Sequence, residues 1–305
     1  MRATVLGPQR RPTVDRVVAD VVPEGPIATV TAGWREREDD VTELDRLLGG
    51  RSVPLRLHSR WLNVLDHDPE YATAEREHRA TLDELQALYV VQLDHALRAL
   101  YETAQRGGRP EVRSAAVDDA LAAVRLLDGR HLDRVRETHA EFAAAWAPAS
   151  RPVMAAHRTT VGGLLNPAAA LAIAGGHVGV LLHVLRLFDV AAVVPDVVIA
   201  WSAGAMALTE RVVLFHHDAS RGPGHSEVYD NGVALVRGVV LLPHARRRLH
   251  VDDLQRMSVL ARRFAPAACI VLDDGVRLDL DPDGSLPVGT RRVEPDGTIG
   301  TVEGR

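Results

Sequence analysis

The sequence predicts an α/β protein, a doubly wound and mostly parallel sheet interrupted by an all-helical insertion. Three observations carry this reading. Over residues 1–66 short β-rich runs alternate with helical spacing. Residues 69–148 keep only helical periodicity, and from about 168 onward the strand and helix alternation returns.

In the first territory, Thr4-Val5-Leu6 and Ile27-Ala28-Thr29-Val30-Thr31 read as buried strands, and Val53-Pro54-Leu55-Arg56-Leu57 as a weaker one. Residues 13–22 and 40–48 have helical spacing, so the strands are joined by crossovers of a parallel sheet. In the second territory Leu82, Leu85, Tyr89, Leu93, Leu97 and Leu100 recur three or four apart, the spacing of one helix face. Gly107-Gly108-Arg109-Pro110 breaks the pattern, 112–127 resumes it, Asp128-Gly129 breaks it again, and 132–146 forms a third helical stretch. The expected division is an α/β domain of 1–66 and 150–305, with 67–149 as a helical insertion serving as a lid, a dimer interface or a partner-binding arm.

The third territory begins with a strand at 168–174 that ends in Gly175-Gly176, followed by helical spacing over 178–188. Asp196-Val197-Val198-Ile199-Ala200 is another buried strand. Helical spacing recurs over 251–264, with strands expected at 268–272 and 276–280. Asp281-Pro282-Asp283-Gly284 and Pro295-Asp296-Gly297 carry the turn chemistry of hairpins.

Composition narrows the function classes. The 305 residues are 46% hydrophobic and 25% charged, with a formal charge of −5, which gives no long-range attraction for nucleic acid or anionic membrane. The run Arg246-Arg247-Arg248 reads as a solvated helix start. Cys269 is the one cysteine and sits in an apolar run, so it forms no internal disulfide and reads as a strand residue. The first residues lack the apolar run of a signal peptide, and the apolar region 168–208 is interrupted by Arg186, Asp189, Pro195 and Asp196. A cytoplasmic location is expected.

The chemistry concentrates at Val197-Val198-Ile199-Ala200-Trp201-Ser202-Ala203-Gly204-Ala205, where an apolar strand runs into small residues and then a helix. Small side chains suit a tight strand-to-helix turn, and a serine there projects its hydroxyl from the carboxyl edge of the sheet. The helix start supplies unpaired N–H groups for developing negative charge. The competing role for Ser202 is a simple helix cap. Gly175-Gly176-His177 opens the previous helix at the same edge, and glycine lets backbone N–H groups approach a ligand closely. Downstream, Val239-Val240-Leu241-Leu242-Pro243-His244 places an imidazole after a strand, where it can act as general base. His216, His217 and His225 lack metal-ligand spacing.

These three segments, in this order, resemble the peptidase E and cyanophycinase family of serine hydrolases, within the class I glutamine amidotransferase-like superfamily. Trp201-Ser202-Ala203-Gly204-Ala205 is similar to its nucleophile motif, Gly175-Gly176-His177 through Leu182-His183 to its Gly-Gly turn and helix, and Pro243-His244 to its proline-preceded histidine. Thr31-Ala32-Gly33-Trp34-Arg35 fits an early strand region less specifically. The resemblance covers about 168–280 well and extends over 1–60, but not over the helical insertion. It implies cleavage of an amide or peptide bond through an acyl-enzyme on Ser202, with His244 as base, the N–H groups of Gly176 and Ala203 as oxyanion hole, and no metal or organic cofactor. The family's third member is an aspartate a short way after the serine; Asp218, sixteen residues beyond Ser202, fits, with Glu227 and Asp230 as competitors. His177 departs from the asparagine or acidic residue usual after the Gly-Gly pair, and specificity for N-terminal aspartyl peptides or cyanophycin does not carry over. An α/β-hydrolase has the same order of serine, acid and histidine, but the 42 residues from Ser202 to His244 are few for it. The alternative function is a non-catalytic binding or regulatory protein that keeps the fold, the insertion then serving a partner or a second copy.

Overall fold

The structure, a computed structural model, describes residues 1–215, 225–280 and 285–304. Asp218, His216, His217 and the turn Asp281-Pro282-Asp283-Gly284 lie outside the described residues. The first territory folds as β1 (Arg2–Leu6), α1 (Val14–Val21), β2 (Ile27–Val30), α2 (Thr42–Leu47), β3 (Ser52–Pro54) and α3 (Leu57–His67). The expected strand at 53–57 is shorter than its apolar content suggested. Leu57 already opens α3, and Leu55 and Leu57 are buried as core residues instead of ladder residues.

Two 37-residue helices follow, α4 (Pro69–Gln105) and α5 (Pro110–Trp146). Each starts on proline, whose fixed φ and missing N–H cost nothing in the first turn, and the Asp68 carboxylate caps α4 through Tyr71 N at 3.1 Å. The expected break at Asp128-Gly129 is corrected, since α5 runs through it. Asp128 is held from inside by Arg263 and Tyr89, and tertiary bonds of this kind outweigh a glycine's local helix penalty of about 1 kcal/mol. A further helix, α6 (Pro152–Leu165), precedes the return to the sheet.

The third territory supplies β4 (Ala170–Ile173), α7 (Val178–Leu187), β5 (Val197–Trp201), α8 (Ala203–Ala207), β6 (Arg211–Leu214), β7 (Glu227–Asn231), β8 (Val239–Pro243), α9 (Ala245–Arg248), α10 (Leu254–Phe264), β9 (Ala268–Leu272), β10 (Arg277–Leu280), β11 (Arg291–Val293) and β12 (Ile299–Thr301). The main sheet has the order β10-β1-β5-β4-β2-β3. All its neighbours pair parallel except β10, which pairs antiparallel with β1.

Both faces of this sheet are covered, as the near-continuous apolar strands require. Leu6, Ile27, Ala172, Ile199 and Trp201 pack with α1 and α2 through Val14, Val17, Val18 and Leu44. The alternate residues Val5, Ala28, Ile173, Val198 and Ala200 belong to the second core, with Trp61 of α3, Met154 of α6 and Leu181 of α7. The connections after β2 and β4 therefore leave neighbouring strands toward opposite faces. In open α/β sheets the crevice at such a divergence is where ligands bind.

The C-terminal strands depart from one continuous sheet. β8 pairs parallel with β9 in a separate sheet of order β12-β11-β9-β8, and β6 and β7 form a two-stranded sheet. The short link from β9 to β10 ties the two larger sheets at one edge, where Gly7 N donates to Val276 O at 2.9 Å. Among the described residues no helix is long and apolar enough to cross a membrane.

Candidate active site

β5 delivers Ser202 to the carboxyl edge of the main sheet with φ 52° and ψ −122°. A non-glycine residue held there costs about 1–3 kcal/mol, and such strain gathers at functional sites. The backbone of Ser202 starts α8, because its carbonyl accepts from Met206 N at 3.1 Å. Its hydroxyl makes no capping bond, and takes no hydrogen bond among the described residues. The small residues after it have a direct cause: a Cβ on Gly204 would stand 2.4 Å from the Ile173 carbonyl oxygen of β4.

Gly175 and Gly176 sit against this turn. A Cβ on Gly175 would lie 2.9 Å from Ser202 Cβ and 3.3 Å from its Oγ. Gly176 has φ 121°, and a Cβ there would meet the Gly33 carbonyl oxygen at 2.3 Å. That same carbonyl accepts from His177 N at 2.8 Å, closing the β2 and β4 loops onto each other. The N–H groups of Gly176 and Ala203 donate to no other group among the described residues. His177 caps α7, its Nδ1 accepting from Val180 N at 3.2 Å. Burial, then the charges of Arg35 and Arg79, lower its pKa, keeping the imidazole neutral and able to accept. An asparagine or aspartate would perform the same capping task.

His244 ends β8 in the left-handed region, φ 58° and ψ 32°, with its N–H bonded to Leu272 O at 3.2 Å. His244 and Ser202 line one cleft of about 640 Å³, together with Gly175, Gly176, Trp34 and Arg10. The imidazole and hydroxyl share no hydrogen bond among the described residues; contacts of this kind commonly tighten only when substrate is bound. Burial and then Arg248 lower the His244 pKa, while Asp274 and Asp273 pull it upward. The net effect leaves a neutral imidazole at pH 7, the state a general base needs.

The acids fall in different places. Asp218 lies outside the described residues. Asp230 is 8% exposed and committed elsewhere, at 2.9 Å from Arg186 and 3.4 Å from His139. Burial raises its pKa, but His139 and Arg186 outweigh that and hold it low. Glu227 accepts from Gln86 Nε2 of α4 at 3.2 Å. Asp273 and Asp274, which no sequence pattern singled out, follow β9 beside His244. Asp273 Oδ1 accepts from Arg246 N at 3.1 Å, and its buried Oδ2 makes no hydrogen bond but lies 3.6 Å from Arg246 Nε. A carboxylate directly after the strand expected at 268–272 was the available signal. Cys269 is buried in β9, its thiol pushed up to about 12 by desolvation, and His225 stacks on Tyr101 of α4.

No protein-family model matches the chain, and no curated protein matches it. Among solved structures it is similar to a peptidase from an acI-B1 Actinobacterium, with 12% identity over 99% of this chain and 93% of that one and a TM-score of 0.45.

Proposed function

We propose that the chain is a serine-dependent amidohydrolase or peptidase of the peptidase E and cyanophycinase type, with the class I glutamine amidotransferase-like fold. The α/β body of 1–66 and 150–305 carries the site, and the helices of 67–149 are its insertion. The observation that carries this reading is the strained backbone of Ser202, whose hydroxyl caps no helix and which lines the same cleft as His244. In the proposed reaction the Ser202 Oγ attacks the amide carbonyl carbon while His244 takes its proton. The N–H groups of Gly176 and Ala203 stabilise the oxyanion. Collapse of the tetrahedral adduct breaks the C–N bond, and His244 gives its proton to the departing amine. Water, deprotonated by His244, then attacks the Ser202 ester and releases the acid. Asp218 is assigned to orient His244; Asp273 is the rival for that role, supported by its field at the imidazole.

The test is covalent labelling by a fluorophosphonate probe, read by intact mass. The wild type is expected to gain one adduct and Ser202→Ala none. Equal labelling of the two would overturn the assignment of the nucleophile. A binding protein that merely keeps the fold predicts no adduct on the wild type at all. The departure at His177 lends that alternative little support, because His177 is occupied in capping α7.

A further inference from the structure

The α4 and α5 helices bury one face and, among the described residues, leave the other exposed. Tyr89, Leu93 and Leu97 of α4 and Val124 and Leu132 of α5 point inward. Leu88, Val91 and Leu126 point outward, with 65%, 57% and 55% of their surface exposed. Leu88 and Leu126 line a groove of about 400 Å³ between the two helices, together with Leu85, Ala123 and Leu127. Isolated exposed leucines are ordinary, but a cluster at one groove marks an interaction surface.

We propose that this groove is the interface with a second copy of the chain, the two hairpins crossing face to face about a two-fold axis near Leu126. Charge selects this occupant. Arg130 and Arg134 stand at one end of the groove, and Asp119 lies past its other end on the same helix; none of the three has an ion-pair partner among the described residues. Arg134 is eight residues beyond Leu126 and Asp119 seven before it. A two-fold axis at Leu126 therefore carries the basic end of one copy over the acidic end of the other, twice, as an isologous contact requires. The groove is lined over 85–92 and 123–134, ~18 Å of helices that each run ~55 Å, so the exposed face on either side of it must join the contact. A stable pair needs about 800 Å² from each partner.

Analytical ultracentrifugation over a dilution series tests this on the full chain. The wild type sediments at twice the chain mass, and Leu88→Glu/Leu126→Glu at the mass of one chain with an unchanged circular dichroism spectrum. Arg134→Asp, a change at an exposed position, weakens the dimer at least tenfold, and adding Asp119→Arg restores it. A wild type that stays monomeric overturns the proposal. So does a dimer that survives Leu88→Glu/Leu126→Glu, one indifferent to Arg134→Asp, or one that Asp119→Arg fails to restore.

Discussion

At the scale of the residue, His244 sets how the proposed activity depends on pH. Its neutral form is the base, and burial together with Arg248 lowers its pKa below the ordinary 6.5. The acid limb of the labelling rate or of kcat/KM should therefore have its midpoint below 6.5. Asp273 opposes that lowering, so Asp273→Asn should move the midpoint further down. Arg248→Gln removes a cation and should move it up. If Asp218 orients the imidazole, Asp218→Asn should reduce kcat by about 10³–10⁴, as loss of the acid does in other serine triads, while Asp273→Asn shifts only the pH profile. The reverse pattern in the two profiles would transfer the orienting role to Asp273.

At the scale of the element, one substitution made at two glycines should act in opposite directions. Gly129 lies inside α5, where an added Cβ would meet nothing within 4 Å. Gly129→Ala should stabilise the chain by about 1 kcal/mol, because alanine loses less backbone freedom in a helix. Gly204 also lies in a helix, but a Cβ there would press on the β4 backbone at 2.4 Å. Gly204→Ala should force α8 and Ser202 away from Gly175, abolishing probe labelling and lowering Tm. Thermal unfolding and intact mass read both outcomes. The same pair of glycines shows how far the sequence could be read. The strand before Ser202, the Gly-Gly turn and Pro243-His244 were legible because each is local: an apolar run, then residues whose size or φ the turn dictates. Gly129 misled because its helix is held through Asp128 by Arg263, 135 residues further along the chain than Asp128, which no local pattern records. Val53–Leu57 misled for a related reason, since apolar residues serve a strand or a buried helix start equally well. The carboxylates beside His244 were passed over because β8 and β9 meet in a second sheet, a pairing set by tertiary structure.

At the scale of the whole molecule, a buried ionic knot is among the contacts that fasten the helical pair to the α/β body. Arg263 of α10 reaches both carboxylate oxygens of Asp128 at 2.6 and 2.7 Å, the Tyr89 hydroxyl at 2.9 Å and the Ser226 carbonyl at 2.6 Å. Tyr89 in turn donates to Asp128 at 2.8 Å and accepts from Val228 N at 3.1 Å, so α4, α5, α10 and β7 meet at a single point. Burial works against the Arg263 charge, but the Asp128 carboxylate outweighs it and raises the guanidinium pKa. Asp128→Ala would leave that cation buried and unpaired, a loss expected at about 3–5 kcal/mol. Replacing both partners, as Arg263→Met/Asp128→Leu, should recover most of that loss, because well-packed apolar groups avoid the desolvation cost of both ions. A fastening made of charge complementarity thus predicts a strongly non-additive double-mutant cycle in urea unfolding. If the double variant is as unstable as Asp128→Ala, or if Asp128→Ala unfolds at the wild-type midpoint, the pair does not hold the helices to the sheet.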